Sequence, residues 1–286
     1  MSYQHTRVDV ARASARAIRA LTHTHIGLTC IKAAKGLPAI ESCLNFLIGF
    51  YNVYPSLEKA KADAARYIPY GHEHTDAVKI HLDLSHSARP SDYPVLYHLE
   101  RIASEIHHVF DLGGNVGNLF YCYQQYLNFT ADLRWTVFDL PEIVDEGRRM
   151  AQTKHETRLE FVRELAIEPS VDLLIASGSA HYFEQSIPEL LMAGYIFPEH
   201  VIINRTPLTK GHSAVTIQDA GTYLVPCKIF NRDELLKSFD EAGYSVMDDW
   251  TVPELSVSIP CHPELSVPSY SGLYLRRRTL KNGGQT

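Results

Sequence analysis

A short glycine-rich segment, residues 111–118, constrains the fold of this 286-residue chain more than any other feature. It reads D-L-G-G-N-V-G-N, between an apolar run and a helix-like stretch, which describes a strand that ends in a carboxylate, then a turn, then a helix start. Because Gly113, Gly114 and Gly117 lack Cβ atoms, a ligand can approach their backbone closely. Free amides at the helix start and the carboxylate of Asp111 would face that ligand. The segment predicts a nucleotide-type cofactor site.

The spacing of the glycines separates two kinds of cofactor. The dinucleotide fingerprint G-x-G-x-x-G needs a glycine where this chain has Leu112, so a nicotinamide site would lack its tight-turn glycine. An acid followed by x-G-G-x-x-G resembles the first motif of class I S-adenosylmethionine-dependent methyltransferases, in which the acid lies near the methionine amine. A plain turn after the strand is the structural alternative.

A second acid lies at the distance that a ribose-binding carboxylate needs. Residues 135–139 read W-T-V-F-D, a buried strand that ends in Asp139, 22 residues past Gly117. An aspartate at the tip of a neighbouring parallel strand can accept hydrogen bonds from both ribose hydroxyls. Asp139 can also serve as the N-cap of a helix that begins with Pro141, and the two roles are compatible. The segment F-D-L-P, which includes Leu140, is similar to one found in small-molecule O-methyltransferases.

Composition restricts the partners of the chain. The formal net charge is −6 and the pI is about 6.2, which argues against a nucleic-acid partner and favours a small-molecule substrate. The five cysteines are widely spread, without disulfide or metal spacing, and indicate reduced thiols in a cytoplasmic protein. No run of 18 apolar residues is present, so we expect no membrane-spanning segment. Paired histidines such as His72 and His74 share no helix face and belong to no H-E-x-x-H pattern; a loop could bring these two to a metal, but we expect a solvated or pocket-lining loop and no metal.

The order of predicted elements indicates two regions. Residues 1–105 lack strand alternation and suggest a helical N-terminal or cap region, whereas residues 106–286 alternate between strands and helices. Repeated βα units predict an α/β fold with a parallel, doubly wound sheet. Two final strands, near 244–250 and 270–276, are joined by a proline-rich loop. They resemble the antiparallel sixth and seventh strands of class I methyltransferases, which distinguish that Rossmann-like fold from the NAD-binding one.

From about Tyr67 to Arg277 the chain resembles a bacterial family of S-adenosylmethionine-dependent methyltransferases known mainly from sequence models. The segments that carry the resemblance include D-L-G-G-N-V-G, W-T-V-F-D-L-P-E-I-V, D-L-L-I-A-S-G-S-A-H-Y and I-I-N-R-T-P. It implies S-adenosylmethionine as cofactor. The cofactor contacts that follow for this chain are Asp111, Gly113, Gly114, Gly117, Asp139, Leu140, Glu164 and Ser177. Glu164 stands where an adenine-binding acid is expected, although the surrounding sequence departs from the family pattern.

One histidine follows the predicted fourth strand of the sheet. His181 lies nine residues after Asp172, the separation that plant-type O-methyltransferases show between the acid opening that strand and their catalytic histidine. A histidine there could remove the proton of a hydroxyl group as the methyl group arrives. Some class I methyltransferases instead place a histidine or an aromatic residue in this loop to pack against the cofactor, and both roles stay open.

Substrate recognition is expected from the helical region and from the loops after the fourth and fifth strands. The candidates are Asp92, Tyr93, His98, Tyr182, Arg205 and Gln218. Arg205 follows an apolar strand and could clamp a carboxylate or phosphate, or pair with a neighbouring acid. The sequence predicts a methyltransferase for a small molecule, with oxygen as the acceptor atom. A NAD(P)-dependent reductase and a non-catalytic module with the same fold are the alternatives, and a homodimer stays open.

Overall fold

The computed structural model describes residues 49–65, 87–165, 170–219, 224–259 and 262–279. In chain order the elements are β1 Phe50–Tyr54, α1 Leu57–Ala64, α2 Asp92–Arg101, β2 His108–Leu112, α3 Asn118–Tyr123, β3 Arg134–Phe138, α4 Pro141–Thr153, β4 Leu159–Val162, β5 Leu173–Ser177, α5 Ile187–Met192, β6 His200–Thr206, β7 Leu208–Thr209, β8 Ala214–Asp219, β9 Leu224–Asn231, α6 Arg232–Glu241, β10 Tyr244–Val252 and β11 Tyr270–Arg277.

These elements form two compact units. The larger unit comprises the described residues within Glu73–Leu208, Arg232–Leu255 and Ser269–Thr286, and the smaller unit those within Met1–His72, Thr209–Asn231 and Ser256–Pro268. The predicted division into residues 1–105 and 106–286 stays a prediction. Among the described helices, none has the length and apolar character that crossing a membrane requires.

The larger unit contains a seven-stranded sheet in the order β4-β3-β2-β5-β6-β11-β10. The strands from β4 to β6 are parallel, whereas β11 runs antiparallel to both β6 and β10. The predicted doubly wound sheet and its terminal antiparallel pair are therefore confirmed. The strand order reverses between β2 and β5, and ligands of such sheets bind outside the carboxyl ends of the strands at that switch point.

The burial of the central elements follows their sequence patterns. All five residues of β2 are buried, as is typical of a parallel strand that is covered on both faces. Helix α4 begins with a proline at its first position and buries Ile143, Val144, Gly147 and Ala151, which recur at helical spacing. The apolar side of α4 is thereby fixed towards the core, while its charged side faces solvent.

The secondary structure differs from the sequence-based interpretation in the smaller unit. Phe50–Tyr54, within the region predicted to be helical, is strand β1, and it pairs antiparallel with β8 in a four-stranded sheet. Its partner lies more than 150 residues away along the chain, so local patterns carry no information about the pairing. Strands β8 and β9 were not predicted either. The helices predicted within residues 1–48, and the whole segment 66–86, lie outside the described residues.

Candidate active site

The glycine-rich loop between β2 and α3 lies at the switch point of the sheet. The backbone amide of Gly113 donates to the carbonyl of Phe138 at 2.8 Å, which ties the loop to the end of β3. A Cβ atom at Gly113 would lie 2.5 Å from Cβ of Ser179, and one at Gly114 would lie 2.4 Å from the carboxylate carbon of Asp111. These glycines are therefore also required by the packing of the protein itself.

Asp111, at the end of β2, carries an incompletely satisfied carboxyl group. Its side chain is 1% exposed, and Oδ2 accepts a hydrogen bond from the indole Nε1 of Trp135 at 3.1 Å. Oδ1 has no hydrogen-bond partner among the described residues. Burial and, to a smaller extent, the charge of Asp139 raise the pKa of Asp111 to about 7, against the lowering effect of the Trp135 hydrogen bond.

Asp139, directly after β3, holds the glycine-rich loop. Oδ2 accepts the backbone amide of Asn115 at 2.8 Å, and Oδ1 accepts the amide of Leu140 at the same distance. Burial raises the pKa of Asp139, whereas these two amide bonds lower it. The helix-cap alternative is wrong, because Leu140 is the N-cap of α4 and no side chain caps it. Each oxygen of Asp139 keeps a second lone pair for a ligand.

His181 lies in the short 3-10 helix Ala180–Tyr182 after β5. Its side chain is 2% exposed, and its ring lies 4.1 Å from the ring of Tyr182 and 6.0 Å, edge-on, from that of Tyr270. The imidazole therefore lies at the carboxyl edge of the sheet and packs against two tyrosine rings. Whether the imidazole acts as a base stays a prediction.

Arg205 forms a buried ion pair at the end of β6. It and Asp92, the first residue of α2, are each 2% exposed, and Nη2 of the arginine lies 2.6 Å from Oδ2 of the aspartate. The guanidinium also donates to the hydroxyls of Ser91 at 2.9 Å and Ser177 at 2.8 Å. Of the two roles that the sequence left open for Arg205, the structure shows the ion pair with a neighbouring acid.

Two buried residues at this edge, Asn204 and Ser179, were not identified as site residues from the sequence. Asn204 is fully buried, donates to Ser91 O at 3.0 Å and to Ser177 Oγ at 3.2 Å, and accepts from Nε1 of Trp250 at 3.0 Å. Ser179 donates to the carbonyl of Leu112 at 2.5 Å. Both residues connect neighbouring strand ends. In the sequence, Asn204 is marked only as a polar residue within a buried strand, and Ser179 only as a polar residue two positions after one.

The remaining predicted residues do not all converge on the glycine-rich loop. Tyr93 projects from α2 with 57% exposure, whereas His98, on the same helix, is buried. The ring of His98 packs 4.4 Å from that of Tyr274, and Nε2 lies 2.9 Å from Oδ2 of Asp248. His98 therefore anchors α2 to the terminal strand pair, and burial lowers its pKa. Tyr182 is half-buried beside His181.

Three further predicted residues lie in different surroundings. Leu140 and Glu164 are exposed, at the start of α4 and after β4 respectively. Gln218 belongs to β8 in the smaller unit, opposite Phe50 and Val225 in the sheet register. Within the described part of the chain, no group of three or more His, Cys, Asp or Glu residues is placed to hold a metal ion. The segment that contains His72 and His74 lies outside it.

Comparisons with known proteins bear on the fold. No model of a protein family and no curated protein matches the sequence. Among solved structures, 1,6-didemethyltoxoflavin-N1-methyltransferase of Burkholderia thailandensis, with bound 1,6-didemethyltoxoflavin and S-adenosylhomocysteine, is 18% identical. The match covers 80% of this chain and 92% of that one, with a TM-score of 0.50.

Two other solved structures match with lower TM-scores. The O-methyltransferase NcsB1 from neocarzinostatin biosynthesis is 21% identical over 65% of this chain and 57% of its own, with a TM-score of 0.39. Magnesium protoporphyrin IX methyltransferase (ChlM) of Synechocystis PCC 6803 is 15% identical over 65% and 80%, with a TM-score of 0.45. With the strand order and the terminal antiparallel pair, the first of the three structures shows that this chain has the fold of class I S-adenosylmethionine-dependent methyltransferases.

Proposed function

We propose that this protein is a methyltransferase that uses S-adenosylmethionine and methylates a small molecule, with oxygen as the acceptor atom. The observation that carries the proposal is the arrangement of Asp111 and Asp139 at the glycine-rich loop. Asp111 offers a buried oxygen that lacks a partner among the described residues, and Asp139 offers free lone pairs at the end of the next strand. A fold alone does not establish an activity, so the proposal has to rest on these two carboxyl groups and on what they can bind.

The two carboxyl groups match two polar parts of the cofactor, the amine of its methionine portion and the hydroxyls of its ribose. A buried carboxyl group that accepts a single hydrogen bond can best accommodate a cationic amine, and Asp111 is such a group. Asp139 would hold the ribose hydroxyls, and the exposed apolar side chain of Leu140 beside it would contact the adenine. Gly117, with φ of +88°, lets the chain turn sharply into α3 below the ligand. Glu164 and Ser177 stay proposed cofactor contacts.

The bound cofactor supplies an activated methyl group, so the protein has to position the acceptor and remove its proton. His181 is the candidate base for this step, and Tyr93 and Tyr182 are the candidates for holding the acceptor. The toxoflavin methyltransferase has the small molecule 1,6-didemethyltoxoflavin bound, which supports a small acceptor here. Cytoplasmic location, a homodimer and the absence of a nucleic-acid partner stay predictions.

The direct test is calorimetric titration of the purified protein with S-adenosylmethionine and S-adenosylhomocysteine. We expect saturable binding with a stoichiometry of one. NADH and NADPH, titrated in parallel, should not bind, because Leu112 occupies the position of the tight-turn glycine. The terminal strand pair already sets the fold apart from the NAD-binding one. No binding of either sulfur ligand at millimolar concentration would refute the proposal and leave a non-catalytic module with this fold.

The base role of His181 predicts a large kinetic effect. His181→Ala should lower turnover by at least about a hundredfold with any hydroxylated acceptor that the wild type methylates, since loss of a general base typically costs that much. His200→Gln is a matched control, because His200 is also fully buried but stands at the amino end of β6, the opposite edge of the sheet. We expect its turnover to stay near the wild-type value. Equal rates for His181→Ala and wild type would assign His181 to packing.

A further inference from the structure

We infer that the hydroxyl of Ser177 is a fixed hydrogen-bond donor for the methyl acceptor, and that the acceptor presents a carbonyl or carboxylate oxygen to it. The inference rests on the proposed function and adds a chemical group that the acceptor has to contain. Ser177 is also a proposed cofactor contact. A contact through its backbone is compatible with the inference, which concerns the side chain alone.

Both lone pairs of the Ser177 hydroxyl are taken by groups that can only donate. Oγ accepts from Nη1 of Arg205 at 2.8 Å and from Nδ2 of Asn204 at 3.2 Å. A guanidinium has no acceptor. The amide of Asn204 is fixed in this orientation, because its oxygen accepts from the indole N–H of Trp250 at 3.0 Å and an indole likewise only donates. The proton of Ser177 therefore has to point away from both neighbours, towards a third group.

The backbone of Arg205 brings the two donors to one oxygen. In a regular strand Asn204 and Arg205 would point to opposite faces of the sheet. Arg205 has φ of +54°, in the left-handed region, and two residues of β6, Asn204 and Arg205, stand opposite the single residue Gly272 of β11. Such a bulge changes the direction of a side chain, and backbone strain of this kind is typical of functional sites.

The Ser177 hydroxyl lies where a buried polar network meets the surface. Ser91, Asp92, Asn204 and Arg205 are each no more than 2% exposed, whereas Ser177 is partly exposed. Within the part of the chain that the structure describes, the proton of Ser177 has no hydrogen-bond acceptor. A hydroxyl that accepts from a guanidinium becomes a stronger donor, because connected hydrogen bonds polarise one another. Ser177 therefore offers an oriented donor that a ligand can use.

The position of Ser177 favours the methyl acceptor over the cofactor as that ligand. Asp111 pairs with Ile175, two residues before Ser177, so all three lie near the carboxyl end of the sheet. The proposed cofactor contacts belong to β2 and to the end of β3, at Asp111 and Asp139, whereas Ser177 ends β5, on the other side of β2 from β3. The loop that begins after Ser177 carries His181, the candidate base. The donor and the candidate base thus both belong to the β5 end of the site.

A carbonyl or carboxylate oxygen suits this donor best. Such an oxygen accepts hydrogen bonds and carries no proton that would meet the proton of Ser177. An ammonium group is excluded, because it only donates and Ser177 has no lone pair left for it. The charge of Arg205 is compensated by Asp92, at 2.6 Å, so a negative charge on the acceptor is not required. The acceptor also has to carry the hydroxyl group that is methylated.

Crystals of the complex with S-adenosylhomocysteine, soaked in acetate, acetone or methylammonium, test the inference with the smallest probe of each class. We expect an oxygen of acetate or of acetone at hydrogen-bond distance from Oγ of Ser177, and no methylammonium there. Acetate alone would indicate a carboxylate on the methyl acceptor, and acetone alone a carbonyl. If neither binds at Ser177, or if methylammonium binds in their place, the inference is overturned.

Variants separate the Ser177 hydroxyl from its surroundings. Ser177→Ala crystals should lose the bound probe, and Ser177→Thr crystals, in which a hydroxyl is kept, should retain it. Ser91→Ala is the matched control, because Oγ of Ser91 also accepts from Arg205, at 2.9 Å, but is buried. Its crystals should retain the probe. A probe that remains in Ser177→Ala crystals would be an adventitious additive only, and the inference would fail.

Cofactor affinity distinguishes this inference from the proposed function. Ser177→Ala should bind S-adenosylhomocysteine as tightly as the wild type, because the hydroxyl contacts the methyl acceptor instead. A loss of about tenfold or more, as expected when a hydrogen bond to a charged group is removed, would assign the hydroxyl to the cofactor and overturn the inference. If the wild type itself does not bind S-adenosylhomocysteine, the proposed function fails.

Discussion

Asp111→Asn is expected to stabilise the protein by about 4 kcal/mol at pH 8 and by less than about 1 kcal/mol at pH 4. The pKa of Asp111 is about 7 in the folded protein and 3.8 for an ordinary aspartate. Below pH 3.8 both states hold the proton, so the group adds no penalty. Between pH 3.8 and 7 the unfolded chain loses its proton while the folded chain keeps it, so wild-type stability falls as the pH rises. Above pH 7 the penalty is constant.

Urea denaturation of both proteins at several pH values measures this difference. Asparagine has nearly the shape of the protonated acid and can still accept the hydrogen bond of Trp135, so the variant should fold normally. Asp145→Asn is the control: Asp145 is an exposed acid on α4, paired with Arg163, and its removal should change stability by less than about 1 kcal/mol and leave the wild-type pH dependence in place. Identical pH curves for Asp111→Asn and wild type would show that Asp111 ionises in the folded protein without cost.

The same substitution is expected to impair cofactor binding, so stability and function oppose each other at this position. A carboxyl group that is costly to bury persists in a protein when the site needs its charge. Asp111 would then be a residue kept for the ligand, whereas its hydrophobic neighbours are kept for the fold.

Arg205→Met is expected to destabilise the protein by about 3 to 5 kcal/mol, because it leaves the buried carboxylate of Asp92 without its main counter-charge. Asp92 would retain the hydrogen bonds from the hydroxyl of Tyr123 and from the backbone amide of Arg89, and a longer ion pair, at 3.8 Å, with the more exposed guanidinium of Arg89. Asp92→Asn should cost a similar amount, since it isolates the guanidinium of Arg205. Denaturant unfolding at pH 7 measures both effects.

A double-mutant cycle tests whether these costs come from the pair. The double variant, Asp92→Asn with Arg205→Met, should lose at least about 2 kcal/mol less than the sum of the single losses, because neither member of the pair then remains as a buried charge without the other. Arg232→Met is the matched control: Arg232 pairs with Asp249 at 2.9 Å, but both side chains are exposed, so the loss should stay below about 1 kcal/mol. Additive losses in the cycle would show that the two buried residues act independently.

The glycine-rich loop and the central sheet could be predicted from the sequence because their signals are local. A strand that ends in Asp111, three glycines within five residues and a second strand that ends in Asp139 describe the switch point without reference to the rest of the chain. The alternation of strands and helices is also a local signal, and the structure follows the predicted order closely from β2 to β6. The terminal pair, β10 and β11, was identified because its strands flank a proline-rich loop.

The roles of individual polar side chains depended on contacts between distant segments. His98 was expected to face a substrate and instead packs on Tyr274 and Asp248, about 150 or more positions away along the chain. Arg205 was equally compatible with a ligand and with an acid, and its partner Asp92 lies over 100 positions earlier. Nothing in the residue types or their local spacing encodes these pairings.

By itself, the sequence determined the class of fold, the position of the glycine-rich loop and the two acids beside it, because periodicity, turn glycines and strand-end carboxylates act over a few neighbouring residues. Only the tertiary structure decided the raised pKa of Asp111, the pairing of Arg205 with Asp92 and the strand pairing of β1 with β8. Desolvation, ion pairing and sheet register depend on which distant groups surround a residue, and those groups come together only when the chain folds.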